Sequence, residues 1–318
     1  MAMLDEPKAA LNLDEPKTAP AGDVAPGILQ FLTIKDFEGP VDPDWCPGCG
    51  DFGVLKSLKE ALLERHIAGH EVLVVSGIGC SSNLPGFIKA YGVHSLHGRA
   101  LPVATGAKLA NRSLHVVAVG GDGDGWGIGL SHVIHAARRN LDLTYIVMDN
   151  AVYGLTTGQA SPTTMLDVRT KTTPRGCAEM PINPIALAIV AGATYVARAF
   201  SGDPKHMSKI FADGIAHRGF SLIDCMSPCI TYNKINTYPW FKERVYRVED
   251  EAGYDPRDLM TAMGKAYEWG DRIPLGLIFK ADRPTFEESE PVLEREPLVD
   301  QPLGLSRELF DQLLAETM

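Results

Sequence analysis

The sequence predicts an α/β chain built on a parallel sheet with helices on both faces. Short apolar runs at residues 72–76, 115–119, 143–148 and 221–226 alternate with helical patterns near residues 130–139, 184–191 and 204–217. Strands separated by helices join through crossovers, and crossovers put helices on both faces of a parallel sheet. The run that ends at Val119 also breaks into Gly120-Gly121-Asp122-Gly123-Asp124-Gly125-Trp126-Gly127. Ligands of such sheets gather at strand ends of this kind.

The elements follow in order. Residues 1–40 carry Leu-Asp-Glu-Pro-Lys twice, at 4–8 and 13–17, with few large apolar groups. They read as an extended tail that buries too little surface to fold alone. Residues 41–280 hold the α/β body. From Asp51, the apolar residues Phe52, Leu55, Leu58, Leu62 and Leu63 keep helical spacing after the glycine that closes the Cys46-Pro47-Gly48-Cys49 loop. Residues 257–269 suggest a further helix. Residues 281–318, acidic and proline-containing, read as an extension over the surface.

Composition narrows the function classes. The chain has 318 residues, 45% of them hydrophobic, which is ample for a substantial core. Its 40 acidic against 30 basic residues give a formal charge of −10, which argues against nucleic acid and anionic membranes as partners. No apolar stretch reaches the roughly 18 residues of a membrane helix. The first residues are acidic and proline-containing rather than leader-like. A reducing cytoplasmic setting is expected, where clustered cysteines serve metals more often than disulfides.

Two strand ends carry the chemistry. Glycines after the strand at 115–119 let backbone N–H groups approach a diphosphate closely, and a following helix adds its positive end. The run at 143–148 ends at Asp149-Asn150. Asp122 and Asn150 then supply hard oxygen ligands, one from each strand end, suited to a magnesium ion. That pairing reads as a thiamine diphosphate site.

The six cysteines are Cys46, Cys49, Cys80, Cys177, Cys225 and Cys229. The C-x2-C spacing of Cys46 and Cys49 lets two thiolates reach one metal centre, and alone it is open among zinc, redox dithiol and iron–sulfur chemistry. Cys80 lies in Ile78-Gly79-Cys80-Ser81 and Cys229 in Ser227-Pro228-Cys229, each just after a strand-like run. Parallel strand ends converge in space, so sequence distance between these residues is no obstacle.

With Asp149-Asn150-Ala151-Val152-Tyr153-Gly154-Leu155-Thr156-Thr157-Gly158-Gln159-Ala160-Ser161-Pro162-Thr163-Thr164 added, the stretch from about Trp45 to Phe241 resembles the β subunits of the 2-oxoacid:ferredoxin oxidoreductases. The resemblance implies a thiamine-diphosphate-binding fold of the diphosphate-binding type. It implies magnesium held by Asp122, Asn150 and the carbonyl of Val152. It also implies cofactor contacts from Ile78, Gly79, Cys80, Ser81, Gly121, Gly123, Asp124, Gly154, Leu155 and Thr156. A 4Fe-4S cluster falls to Cys46, Cys49, Cys80 and Cys229, with Cys225 as the rival for the last place. Cys177 matches no ligand motif and reads as a free thiol.

His97, in the family-typical His97-Gly98-Arg99, is implied to touch thiamine or substrate as the candidate catalytic residue. His132 and His135 read as packing residues. The implied reaction is the reversible, coenzyme A-dependent oxidative decarboxylation of a 2-oxoacid, with electrons leaving through the cluster to ferredoxin. Thiamine activation calls for a glutamate from a pyrimidine domain. The chain has no room for that domain, so an α subunit is expected, in an α2β2 assembly.

Asn83 stands where some relatives carry a basic residue. Its neutral amide, with the likeness to 2-oxoglutarate-using β subunits, favours 2-oxoglutarate and succinyl-CoA over pyruvate. Lys234, Lys242, Arg244 and Arg247 form either a ferredoxin landing place or an ordinary solvated surface. Three rival readings are a cluster-free thiamine decarboxylase or carboligase, a zinc-binding adaptor, and a nicotinamide-binding protein. The last lacks G-x-G-x-x-G in its first βα turn.

Overall fold

The computed structural model describes residues 32–301 and 304–317. The repeated Leu-Asp-Glu-Pro-Lys segment lies outside them. A 3-10 turn at Ile34–Phe37 buries Phe37 completely. Helix α1 (Asp51–Glu64) begins at the residue where the helical spacing starts. Strands β1 (Val72–Ser76) and β2 (Tyr91–His94), helix α2 (Ala100–Ala110), strand β3 (His115–Gly121), helix α3 (Leu130–Arg139) and strand β4 (Leu143–Asp149) follow. A short hairpin of β5 (Val152–Tyr153) and β6 (Gln159–Ala160) comes next, then α4 (Pro184–Val190), β7 (Tyr195–Phe200), α5 (Pro204–Ala216) and β8 (Phe220–Met226). The chain continues through α6 (Tyr238–Lys242), β9 (Val245–Arg247), α7 (Leu259–Tyr267), β10 (Ile273–Lys280), α8 (Phe286–Ser289) and α9 (Arg307–Thr317).

Eight strands make one sheet in the order β2-β1-β3-β4-β8-β7-β10-β9. Every pairing in it is parallel except β10 against β7, which is antiparallel. The alternation of side chains divides the core in two. Val72, Val74, Val117, Val119, Ile146, Met148 and Ile223 pack under α1 and α5. Leu73, Val75, Val116, Ala118, Val147 and Leu222 pack under α2, α3, α4 and α7. Strands buried on both sides need continuous apolar runs, which is why β1, β3, β4 and β8 stand out in the sequence.

This order positions the site. The chain leaves β1 toward β2 on one side and returns to β3 on the other, which makes a switch point between β1 and β3. The loops after β1, β3, β4 and β8 all rise from the same edge of the sheet, and those strands are consecutive neighbours.

Candidate active site

The C-x2-C loop is anchored on the end of β8. Cys49 N–H donates to the Cys46 carbonyl at 2.9 Å, and Gly50 N–H donates to the Pro228 carbonyl at 3.2 Å. Trp45 Nε1 donates to the Cys80 carbonyl at 2.6 Å, which ties the same loop to the end of β1. A Cβ placed on Gly154 would lie 3.6 Å from Cys80 Sγ, 3.9 Å from Cys229 Sγ and 3.9 Å from Asn150 Nδ2. Two of the four expected thiols and the expected magnesium ligand thus meet around one residue. Cys225 points the other way, into the core against Met207, and Cys177 is buried away from this cluster.

The thiols sit in an acidic, poorly solvated setting. Burial pushes the Cys80 thiol up to about 11, helped by the carboxyl of Asp51 and the neighbouring thiols of Cys229 and Cys46. Cys49 is pushed up for the same reasons, burial first and Asp51 second. Asp51 itself is 1% exposed and accepts a 2.5 Å hydrogen bond from Ser227 Oγ. Burial raises its carboxyl to about 6. Thiolates in such a place need a positive partner. Among the described residues, no three His, Cys, Asp or Glu side chains are gathered closely enough to hold a lone metal ion.

The ends of β3 and β4 form the second half. Asp122 is 1% exposed, and its Oδ1 accepts from Asn150 N–H at 3.4 Å. Asn150 Oδ1 accepts from Val152 N–H at 3.1 Å, which leaves that oxygen a second lone pair. Ala151 takes a left-handed conformation, φ 57°, to make this turn, and Asn233 Nδ2 clamps the Asn150 carbonyl at 3.0 Å. Thr163 Oγ1 lies 2.8 Å from both Asp122 Oδ2 and Asp149 Oδ1. A hydroxyl has one proton, which these two carboxyl oxygens compete for. Burial and the adjacent carboxyls of Asp122 and Asp224 hold Asp149 well above the usual carboxylate range.

The glycines of the first motif permit close approach. A Cβ on Gly123 would lie 2.1 Å from the Tyr153 ring, whose hydroxyl donates to the Gly123 carbonyl. Residues Gly123–Ile128 form a wide π-helical turn, a rare geometry found mostly at functional sites. Ser81 is buried, and a Cβ on Gly121 would meet its hydroxyl at 3.1 Å, so the IGCS segment lies against this motif. Leu155 and Thr156 are exposed on the hairpin turn, where Thr156 bonds to Gln159.

Asp124 takes a particular place. Its Oδ1 accepts from Ile78 N–H at 3.0 Å, Gly98 N–H at 2.7 Å and His97 Nδ1 at 2.6 Å. The carboxylate fits only because Gly77 has no side chain, since a Cβ there would lie 2.0 Å from its Oδ2. The structure therefore turns this carboxylate, which follows β3, toward the ends of β1 and β2 beside the switch point. His97 donates from Nδ1, which leaves Nε2 free and the ring one-third exposed. His94 is tied instead to the Ser82 carbonyl at 2.9 Å.

Comparison with known proteins fits this arrangement. Residues 77–225 match the family "Thiamine pyrophosphate enzyme, C-terminal TPP binding domain", and residues 229–295 match the family described as the C-terminal part of the pyruvate ferredoxin oxidoreductase beta chain. A 2-oxoacid:ferredoxin oxidoreductase subunit beta of Saccharolobus solfataricus is 48% identical over 265 residues, 80% of this chain and 87% of that one. The chain belongs to the 2-oxoacid:ferredoxin oxidoreductase β-subunit family. The 2-oxoglutarate oxidoreductase subunit KorB of Mycobacterium tuberculosis is 42% identical over 199 residues, 63% of this β subunit and 53% of that chain. A solved structure of 2-oxoglutarate:ferredoxin oxidoreductase from Magnetococcus marinus, with 2-oxoglutarate, coenzyme A and succinyl-CoA bound, superposes with a TM-score of 0.83 at 39% identity. That match covers 91% of this β subunit and 97% of the other chain. Members of this family are oxidoreductase subunits that act within a multi-subunit complex. No helix among the described residues is long and apolar enough to cross a membrane.

Sequence reasoning did not assign Asp51, Ser227, Thr163 or Asp149 to the site. Thr163 lay within the Ser161-Pro162-Thr163-Thr164 motif, and Asp51 and Ser227 each adjoin a cysteine motif. Those adjacencies were the available signal.

Proposed function

We propose that this chain is the thiamine diphosphate-binding β subunit of a coenzyme A-dependent 2-oxoglutarate:ferredoxin oxidoreductase. It works in the cytoplasm with an α subunit that brings the pyrimidine domain and its glutamate, as α2β2. The observation that carries the reading is Gly154, which has two cysteine thiols and the Asn150 amide around a single backbone position. One residue thereby joins the two cofactor cradles.

The donor sets fit the groups. Asp122, the Asn150 side-chain oxygen and the Val152 carbonyl are hard oxygens of the kind magnesium takes. Cys46, Cys49, Cys80 and Cys229 supply four thiolates for a 4Fe-4S cluster, whose iron offers the positive partner that the Asp51 carboxyl denies them. When bound, thiamine diphosphate would supply the carbon nucleophile that cleaves the oxoacid, and the cluster a one-electron route to ferredoxin.

The chain's own residues then have defined tasks. Thr163 orients Asp122 through its hydroxyl. Asp124 fixes the His97 ring through Nδ1, leaving Nε2 to hold or move a proton at thiamine or substrate. Gly121, Gly123 and Gly154 leave room for the diphosphate, with Ile78, Gly79, Cys80 and Ser81 alongside and Leu155 and Thr156 at the rim. For the oxoacid, the support is the 2-oxoglutarate function of the relatives from Mycobacterium tuberculosis and Magnetococcus marinus. Asn83 donates its amide to Asp44 at 3.3 Å, so the cation that a second substrate carboxylate needs falls to the α subunit.

The test is co-expression with the α subunit and anaerobic purification. Expected are iron, sulfide and thiamine in the complex, and the highest kcat/KM with 2-oxoglutarate when coenzyme A and ferredoxin are present. A colourless, active complex would favour a cluster-free decarboxylase. Zinc without iron or thiamine would favour an adaptor, and a preference for pyruvate would overturn the substrate assignment.

A further inference from the structure

A cavity of about 280 Å³ opens on the α4 and α7 side of the sheet. Its walls are largely apolar, and Met180, Tyr267 and Trp269, at 74%, 69% and 44% exposure, flank its mouth. Its floor is charged. Arg198 of β7 and Asp224 of β8 line it, and they are 1% and 2% exposed.

This pair is incompletely matched. Arg198 Nε is 3.8 Å from Asp224 Oδ2, too far for a hydrogen bond. Arg198 Nε and Nη1 and Asp224 Oδ1 have no partner at all. The Trp269 ring lies over the guanidinium at 5.3 Å, which holds the cation without using its N–H groups. Buried donors and acceptors left in this way are costly, so they mark a place where something else completes them.

The chemistry of that partner follows from the charges. A carboxylate would satisfy Arg198 but offers no N–H to the unpartnered Asp224 Oδ1 beside it. An ammonium would satisfy Asp224 and face Arg198. A carboxamide edge serves both, its oxygen accepting from the guanidinium and its N–H donating to Asp224 Oδ1. A flat ring attached to it suits the apolar walls and Trp269.

We propose that this cavity is a binding site for a small neutral aromatic or heteroaromatic carboxamide, beside the magnesium cradle proposed above. It shares Asp149, Asn150, Ala151 and Thr163 with that cradle, so its occupant borders the same turn.

The probe is benzamide, titrated into the purified complex of this chain with its α subunit and followed by saturation-transfer NMR. Benzoate, with no neutral donor, and acetophenone, with an acceptor only, are the controls. Expected is saturable binding of benzamide alone, weakened about ten-fold in Trp269→Ala by loss of the aromatic face. Binding should also be abolished in Met180→Trp, a plug at an exposed position that leaves the core untouched. No saturation by benzamide, equal binding of the controls, or binding unaffected by the plug would each overturn the proposal. The readout is occupancy rather than turnover, so failure of the proposed enzymatic reaction would leave this result independent.

Discussion

The two edges of the parallel sheet treat buried polarity in opposite ways. At the edge where β4, β7 and β8 begin, every demand is met. Asn140 is fully buried, yet its Oδ1 accepts from Phe220 N–H and Thr194 Oγ1 while its Nδ2 donates to the carbonyls of Arg283 and Pro284. Lys108 likewise donates to the Arg112 and Leu114 carbonyls and pairs with Asp142 at 2.8 Å. At the opposite edge, atoms of Asp51, Ser82, Asp124 and Ser201 are buried without partners, and within the adjoining strands so are atoms of Arg198 and Asp224. One edge holds the fold together, and the other keeps unmet polar capacity for ligands.

That contrast can be broken by mutation, with the largest effect expected at the thiols. Cys80→Ala in the complex should lose its visible absorbance and bring ferredoxin reduction to background, while thiamine diphosphate binding falls far less. A full-rate variant with an intact spectrum would remove Cys80 from the cluster. Thr163→Val keeps the shape but not the hydroxyl between Asp122 and Asp149, and a ~10–100-fold weaker magnesium requirement curve is expected from loss of such an orienting bond.

Asp124→Asn probes the switch point. With its Oδ1 still able to accept from the Ile78 and Gly98 N–H groups but no longer charged, kcat should fall about 100-fold with little change in KM, the pattern of a misplaced proton-transfer group. A change confined to KM would mean that His97 binds substrate without taking part in proton transfer.

At the paired edge the outcomes should appear in stability alone. Asn140 has φ 55°, so Asn140→Gly removes its hydrogen bonds without backbone strain. Leaving Phe220 N–H and the Thr194 hydroxyl unpaired should cost at least about 2 kcal/mol in urea unfolding. Cofactor content of the surviving folded protein should be unchanged.

The smallest effect concerns His217. Burial first, and Lys280 second, lower its pKa from the usual 6.5 to about 4. A depressed pKa means that the folded state favours the neutral ring, so its contribution is full above 6.5 and is lost as pH falls toward 4. Thr194 gives its one proton to Asn140, so its oxygen accepts from His217 Nε2, as a neutral ring allows. The urea midpoint of His217→Gln should therefore decline less than that of the native chain between neutral pH and about 4.

Much of this was legible from residue order. The buried strands β1, β3, β4 and β8 announce themselves because both faces are apolar, and α3, α5 and α7 keep helical spacing close to their observed ends. The elements that escaped have identifiable reasons. All four residues of β2 are exposed at the sheet edge, so it lacks an apolar run. Strand β7 carries a buried arginine in its middle, and α2 contains both proline and glycine.

At the site, the residue types were readable but their directions were not. Asp124 is a diphosphate contact only by what the resemblance implies, and its hydrogen bonds to Ile78, Gly98 and His97 were not readable locally. Its actual orientation depends on Gly77, far away in sequence and adjacent only across the sheet. Likewise, nothing local in Asp51 or Ser227 reveals that they bond to each other behind the thiols.

The position of β8 has a temporal consequence. It is made after β7 but inserts between β4 and β7, and Cys229 follows it. A growing polypeptide emerging from the ribosome exposes Cys46, Cys49 and Cys80 long before Cys229, the fourth ligand under the proposed assignment, arrives. Any inorganic group delivered by a maturation machinery must therefore wait for the closing strand, or be held meanwhile by an incomplete and oxygen-vulnerable set of sulfurs.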